Sequence, residues 1–176
     1  MITLHDKTFV PFIGENEINQ AIKKLANAVY SDYKNETPLC LGVLNGAFMF
    51  MGELMKNYQG LCEVSFVKLA SYHGTSTTGA MKDLIGLNES LENRHVIIVE
   101  DIVDTGNTLE YLFEILKNKN TQSVKTATLF FKPEAYKKKL KIDYIGIEIP
   151  NKFIVGYGLD YDGLGRNLPE IYQLKS

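Results

Sequence analysis

Residues 96–109 read VIIVEDIVDTGNTL. Four apolar residues run into two adjacent carboxylates, Glu100 and Asp101, and a third, Asp104, precedes Thr105, Gly106, Asn107 and Thr108. A nearly unbroken run of Val and Ile over 95–103 is the pattern of a strand covered on both faces. Residues 107–119 follow with Leu109, Leu112, Phe113 and Leu116 on one side, the spacing of a helix. Strand, polar turn and helix are therefore expected in succession. Two neighbouring carboxylates at the end of an apolar strand repel each other and resist desolvation. They are tolerable when they face a cation or ligand hydroxyls, and Mg²⁺ and a ribose diol both suit oxygen ligands of this kind.

Working outward, the same alternation recurs. Residues 16–33 place Ile18, Ile22, Leu25, Val29 and Tyr33 on one helical face. Residues 38–44 read as a buried strand, and 47–58 as a helix packed on the sheet. Strands are expected at 62–72, 123–132 and 144–149. Strands alternating with helices imply an α/β fold, a central, mostly parallel sheet with helices on both faces. Ligands of such sheets bind at the carboxyl ends of the strands. The unusual residue groups fall at such ends: Leu44-Asn45-Gly46, Ser71-Tyr72, Glu100 to Thr108, and Lys132. Residues 73–90, rich in Gly, Ser and Thr and without periodicity, read as a long irregular loop, placed as a lid. Residues 150–176 read as an irregular cap over the sheet.

Bulk properties narrow the classes of function. The chain has 176 residues with 45% hydrophobic content, which suits one domain with a sizeable core. Nineteen basic residues stand against 21 acidic ones, without the basic surplus of a protein that neutralises many phosphates of nucleic acid. The local cluster Lys137 to Lys139 with Lys141 reads as a solvated helix end or loop. Cys40 and Cys62 sit in apolar stretches without metal-ligand spacing, and read as reduced core residues of a cytosolic protein. Neither a signal peptide nor a membrane-spanning stretch is visible, so a cytoplasmic location is expected.

At the turn itself, a helix start offers unpaired N–H groups and partial positive charge. Gly106 lets the backbone approach a ligand, and Thr105 and Thr108 add hydroxyls, together a pocket for a phosphate monoester. No GxxxxGK[ST] sequence is present, so a Walker-type site is not indicated. The plain alternative is a helix capped by Asp104, which leaves Glu100 and Asp101 unexplained.

The stretch 96–109 closely resembles the phosphoribosyl-pyrophosphate motif of the type I phosphoribosyltransferases. Further segments are similar to the hypoxanthine-guanine branch of that family. VLNGAFMF, 43–50, resembles its pyrophosphate loop, and LASYHG, 69–74, the start of its mobile catalytic loop. LFFK, 129–132, ends in the lysine that reads a 6-oxopurine, and residues 149–172 resemble its base-binding hood. The resemblance implies a twisted, mostly parallel sheet flanked by helices, in one phosphoribosyltransferase domain with a core of about 15–148 and a small hood from 1–14 and 149–176.

The implied reaction is purine salvage, transferring 5-phosphoribosyl from its pyrophosphate ester to N9 of hypoxanthine, and of guanine by the same chemistry. Under the resemblance Glu100 and Asp101 bind the ribose hydroxyls, directly or through Mg²⁺. Asp104 holds or takes the purine N7 proton as general base, and Asp104, Thr105, Gly106, Asn107 and Thr108 cradle the 5′-phosphate. Lys132 donates to the purine O6, Phe153 stacks on the base and Ile154 offers backbone groups. Asp160 binds a second Mg²⁺, so Glu100, Asp101 and Asp160 are the expected metal ligands. Arg166, with Asn45 and Gly46, binds pyrophosphate, while Ser71 and Tyr72 close over the reacting centre. Read alone, a lysine such as Lys132 is more often a snorkelled strand terminus, and Phe153 is as readily a core aromatic. Many family members carry Lys where this chain has Asn45, so any pyrophosphate contact there falls to the backbone or to Arg166. Small-molecule substrates, no nucleic-acid or membrane partner, and a homodimer or homotetramer are the expected associations. Two competing readings stay open: a regulatory protein that binds phosphoribosyl pyrophosphate, and a transferase for another base such as xanthine.

Overall fold

The computed structural model describes residues 1–71, 81–85 and 90–175. The chain opens with a hairpin, β1 (Ile2–Leu4) and β2 (Lys7–Ile13), and continues into α1 (Glu15–Tyr33) and β3 (Leu39–Leu44). It then forms α2 (Phe48–Asn57), β4 (Glu63–Ser71), β5 (Met81–Ile85), β6 (His95–Val103) and α3 (Asn107–Lys117). β7 (Ser123–Phe131), β8 (Tyr144–Glu148), β9 (Ile154–Val155) and β10 (Ile171–Leu174) complete the described elements.

A six-stranded sheet runs β5-β4-β3-β6-β7-β8. Its pairs from β4 through β8 are parallel, and β5 adds to the edge of β4 antiparallel. The period-two alternation of β6 assigns its side chains to opposite faces. Ile97 and Val99 pack in one apolar cluster with Ile22, Leu25 and Val29 of α1 and Phe50 and Leu54 of α2. Val96 and Ile98 pack in the other with Leu109, Leu112 and Leu116 of α3. Helices thus cover both faces, which explains why Val96 to Val99 are fully buried and why every residue between His95, which opens the strand, and Glu100 is apolar. α1 begins with Glu15 and Glu17, whose charges complement its positive end, and its apolar stripe is the one expected from sequence.

Two readings need correcting. Within 73–90, taken as wholly irregular, Met81–Ile85 is a strand, paired from Lys68↔Ile85 to Ser71↔Met81. An edge strand borrows its order from the hydrogen-bonding groups of its neighbour, so its own sequence carries little periodic signal. The C-terminal stretch, read as irregular, contributes β9 and β10 to a second sheet of order β1-β2-β10-β9, antiparallel throughout. There the first and last segments of the chain meet, a pairing that local periodicity cannot reveal. Ser71 closes β4, and Tyr72 lies outside the described residues. Cys40 and Cys62 are both free thiols.

Candidate active site

The parallel topology brings the ends of β3, β6 and β7 side by side. Leu44, Val103 and Phe131 end these strands, so Asn45-Gly46, Asp104 to Gly106 and Lys132 emerge at one edge of the sheet. A cavity of about 250 Å³ opens there, lined by Asn45, Gly46, Asp101, Ile102, Asp104, Lys132, Phe153, Ile154, Leu159, Asp160 and Arg166. A smaller one of about 90 Å³ adjoins it, formed by Glu100 and the run Ile102 to Leu109. Nearly all the candidate residues read from sequence line one or the other. Leu159 was not foreseen, because an apolar residue inside a glycine-rich turn has no pattern to distinguish it. Two larger open grooves, of about 850 and 880 Å³, lie between α1 and α2 and beside α3, and neither includes a strand-end carboxylate.

The turn after β6 is built as a cradle. Gly106 adopts φ 83°, the left-handed region, and serves as the N-cap of α3 without any side-chain cap. Asp104 is therefore not the helix cap. Its Oδ2 lies 3.5 Å from Lys132 Nζ, and this lysine is buried while Asp104 is half-exposed. A lysine turned inward onto a carboxylate is not a snorkelled strand terminus. Its position is held from the backbone, where Lys132 N donates to Val103 O at 2.9 Å.

The two strand-end acids are deeply buried, at 5% exposure for Glu100 and 8% for Asp101. Burial raises the Glu100 carboxyl well above its usual range, and the neighbouring Asp101 charge raises it further. Burial also pushes Asp101 up, to about 6, against the opposing pull of backbone N–H groups and Arg166. The Ile102 N–H donates to Asp101 Oδ1 at 2.9 Å. Among the described residues the Glu100 carboxyl accepts no hydrogen bond, although its backbone pairs in the sheet with β7.

This arrangement has a consequence for the ligand-free protein. A carboxyl with a raised folded pKa holds its proton more tightly folded than unfolded. Its contribution is fully present below pH 3.8 and is lost as pH rises from there through about 6 for Asp101. A rise from 3.8 to about 6 corresponds to about 3 kcal/mol. Glu100 extends the loss to higher pH. Urea unfolding of Glu100→Gln should therefore give a higher midpoint than wild type at pH 7.5, with the gap narrowing at pH 5. A lower midpoint at pH 7.5 would remove the claim that this carboxylate is destabilising when charged.

The remaining residues come from the small sheet and its turn. Phe153 is 45% exposed, which is not the burial of a core aromatic. Its ring centroid lies 6.2 Å from that of Phe9 and 5.9 Å from that of Tyr161. Ile154 is buried in β9. Arg166 Nη2 pairs with Asp160 Oδ1 at 2.6 Å, and Arg166 Nη1 donates to Gly158 O at 2.7 Å. Gly163 N–H donates to Asp160 Oδ2 at 2.7 Å. Glu100, Asp101 and Asp160 do not converge into one carboxylate set. Among the described residues no three such groups are placed to hold a metal ion.

Comparison with known proteins gives this geometry a family. The phosphoribosyl transferase domain model matches residues 14–162. A hypoxanthine-guanine phosphoribosyltransferase of Streptococcus pyogenes serotype M3 is 46% identical over 163 residues, covering 92% of this chain and 91% of that protein. The protein of the same name from Bacillus subtilis is 42% identical over 164 residues, with 93% and 91% coverage. The crystal structure of a hypoxanthine phosphoribosyltransferase from Staphylococcus aureus superposes with a TM-score of 0.89 at 38% identity, covering 97% of this chain and 94% of that one. Strand-end acids, a left-handed glycine cradle and a buried lysine are thus set on a scaffold shared with these enzymes, and the chain belongs to the phosphoribosyl transferase domain family.

Proposed function

We propose that the protein is a purine-salvage transferase, moving 5-phosphoribosyl from phosphoribosyl pyrophosphate to N9 of hypoxanthine or guanine and releasing pyrophosphate. The observation that carries this reading is the 250 Å³ cavity in which Asp104 and Lys132 meet Phe153 and Arg166. In the reaction the purine N9 attacks C1′ as the bond from C1′ to the pyrophosphate oxygen breaks. Positive charge develops on the sugar and negative charge on the leaving group. Asp104 accepts the N7 proton, so that the base arrives as a stronger nucleophile. Lys132 donates to O6, where adenine offers an amino group and no acceptor, so adenine leaves a buried ammonium unsatisfied. Phe153 presents an exposed ring face for stacking, and Ile154 offers its backbone to the purine edge. The amides and hydroxyls of residues 104–108 hold the 5′-phosphate, and Glu100 and Asp101 the ribose hydroxyls. Ser71 and Tyr72 would close over the reacting centre and exclude water, which competes as a nucleophile.

The donor chemistry fits Mg²⁺. The acids are oxygen donors, deeply buried and poorly compensated, and a hard cation bound through one or two carboxylates takes its other ligands from phosphates and water. Asp101 and Glu100 would hold one ion, and Asp160 a second in exchange for part of its pairing with Arg166. When bound, the ion offsets charge on the pyrophosphate leaving group. Arg166 and the backbone at Asn45-Gly46 would grip the same group. The sheet formed by residues 2–13 and 154–174 would serve as the hood over the base. Action in the cytoplasm as a homodimer or homotetramer completes the proposal. Among the described residues no helix is long and apolar enough to cross a membrane.

The test is a panel of hypoxanthine, guanine, xanthine, adenine and uracil, each with Mg²⁺ and phosphoribosyl pyrophosphate. Nucleotide from hypoxanthine or guanine supports the proposal, and product from xanthine alone reassigns the base. No product from any base leaves a regulatory ligand-binding protein. A milder expectation attaches to Asn45, a neutral residue where the family resemblance implies lysine. Asn45→Ala removes at most a neutral hydrogen bond, so kcat/KM should fall by only about fivefold. A loss as deep as that of Asp104→Asn would show that the side chain, not the backbone, handles pyrophosphate.

A further inference from the structure

We infer that Tyr136 is a positioning residue that holds the 5′-phosphate cradle in its binding shape, an inference that rests on the reading of residues 104–108 as that cradle. The backbone at Gly106 is left-handed, and Tyr136 and Lys138 pack against the position a side chain would take there. A Cβ on Gly106 would sit 2.5 Å from Tyr136 Cε2 and 2.8 Å from Lys138 Cγ. The outer surface of the turn is therefore in direct contact with the tyrosine ring and the lysine stem.

Tyr136 is itself fixed on three sides. Its N–H donates to Lys132 O at 3.1 Å, so the ring projects from the turn that follows β7. Its hydroxyl donates to Leu140 O at 2.7 Å. Its ring stands edge-on to Phe131, with centroids 5.4 Å apart. Burial raises its phenol above the usual range, in keeping with a ring committed to packing. Lys138 closes the other side, with Nζ 2.6 Å from Glu110 Oε2 in the first turn of α3. The lysine run that reads as a solvated loop in sequence thus supplies a clamp across the helix start. A flat, rigid ring against the αL glycine keeps the amides after Asp104 pointing at one locus. A flexible side chain there would let the turn relax and spread them.

The inference is tested by comparing the affinities of IMP and inosine, which differ only in the 5′-phosphate. Calorimetry on the wild-type protein should show IMP bound roughly a hundredfold more tightly, as several charge-assisted hydrogen bonds would give. Tyr136→Leu and Tyr136→Met keep apolar bulk but lose the flat ring. In both, the IMP advantage should shrink to roughly tenfold while inosine affinity stays at the wild-type level, and Tyr136→Phe should restore it. Steady-state kinetics should show the loss in KM for phosphoribosyl pyrophosphate rather than in kcat. A full IMP advantage in a folded Leu or Met variant overturns the role of Tyr136 alone. Equal binding of IMP and inosine by the wild-type protein overturns the phosphate cradle as well.

Discussion

Replacing Asp104 by asparagine should lower the rate of the chemical step by about 10²- to 10⁴-fold, the usual worth of a positioned general base. Substrate binding changes far less. Asparagine has nearly the same shape, and its carbonyl oxygen still faces Lys132, whose Nζ lies 3.5 Å from the carboxylate in the native protein. What it lacks is a site for the purine N7 proton. On the proposed reading the buried lysine would hold O6 and the half-exposed acid would take the N7 proton, dividing the base between recognition and proton transfer. The measurement is a single-turnover experiment with enzyme in excess, together with equilibrium binding of hypoxanthine. A loss confined to kcat and kcat/KM identifies an interaction made in the transition state. An unchanged single-turnover rate would take Asp104 out of the chemistry and leave it as the counter-ion of Lys132.

Gly46→Ala should lower kcat/KM for phosphoribosyl pyrophosphate by about 10²-fold with little change in secondary structure. A methyl group at this position would overlap the Asp101 carboxylate. Asp101 cannot yield cheaply, since it is buried and accepts a hydrogen bond from Ile102 N at 2.9 Å. Nor can the loop withdraw, because Gly46 O abuts the Cα of Gly158, where a Cβ would collide with it. Gly158 O in turn accepts from Arg166 Nη1 at 2.7 Å. A displacement of the loop would therefore be passed to the carboxylate on one side and to the arginine's support on the other. The check is kcat/KM beside a circular-dichroism melt. A folded variant with near wild-type activity would mean that the loop has slack this packing does not suggest.

Much of the site lay in plain view because its chemistry conflicts with its surroundings. Glu100 and Asp101 stand out in sequence since buried strands exclude charge. Gly106 and its hydroxyl neighbours stand out because they open a helix directly after that strand. Phe153 and Lys132 are different. Each has an ordinary explanation when read alone, and the choice depended on exposure for one and on the pairing with Asp104 for the other. Tyr136 and Leu159 carried no signal, since a single aromatic or aliphatic residue in a loop is noticed only when its contact is known.

By itself the amino-acid sequence determined the parallel core, because the periodicity of strands and helices is a local consequence of which faces must leave water. It also determined the strand-to-helix cradle, whose backbone needs are met within a dozen consecutive residues. The tertiary structure alone decided the pairing of the first strands with the last, the order in strand β5, and the meeting of Asp104 with Lys132. These depend on contacts between residues distant along the chain, and the free energy of such contacts comes from partners that no local pattern identifies.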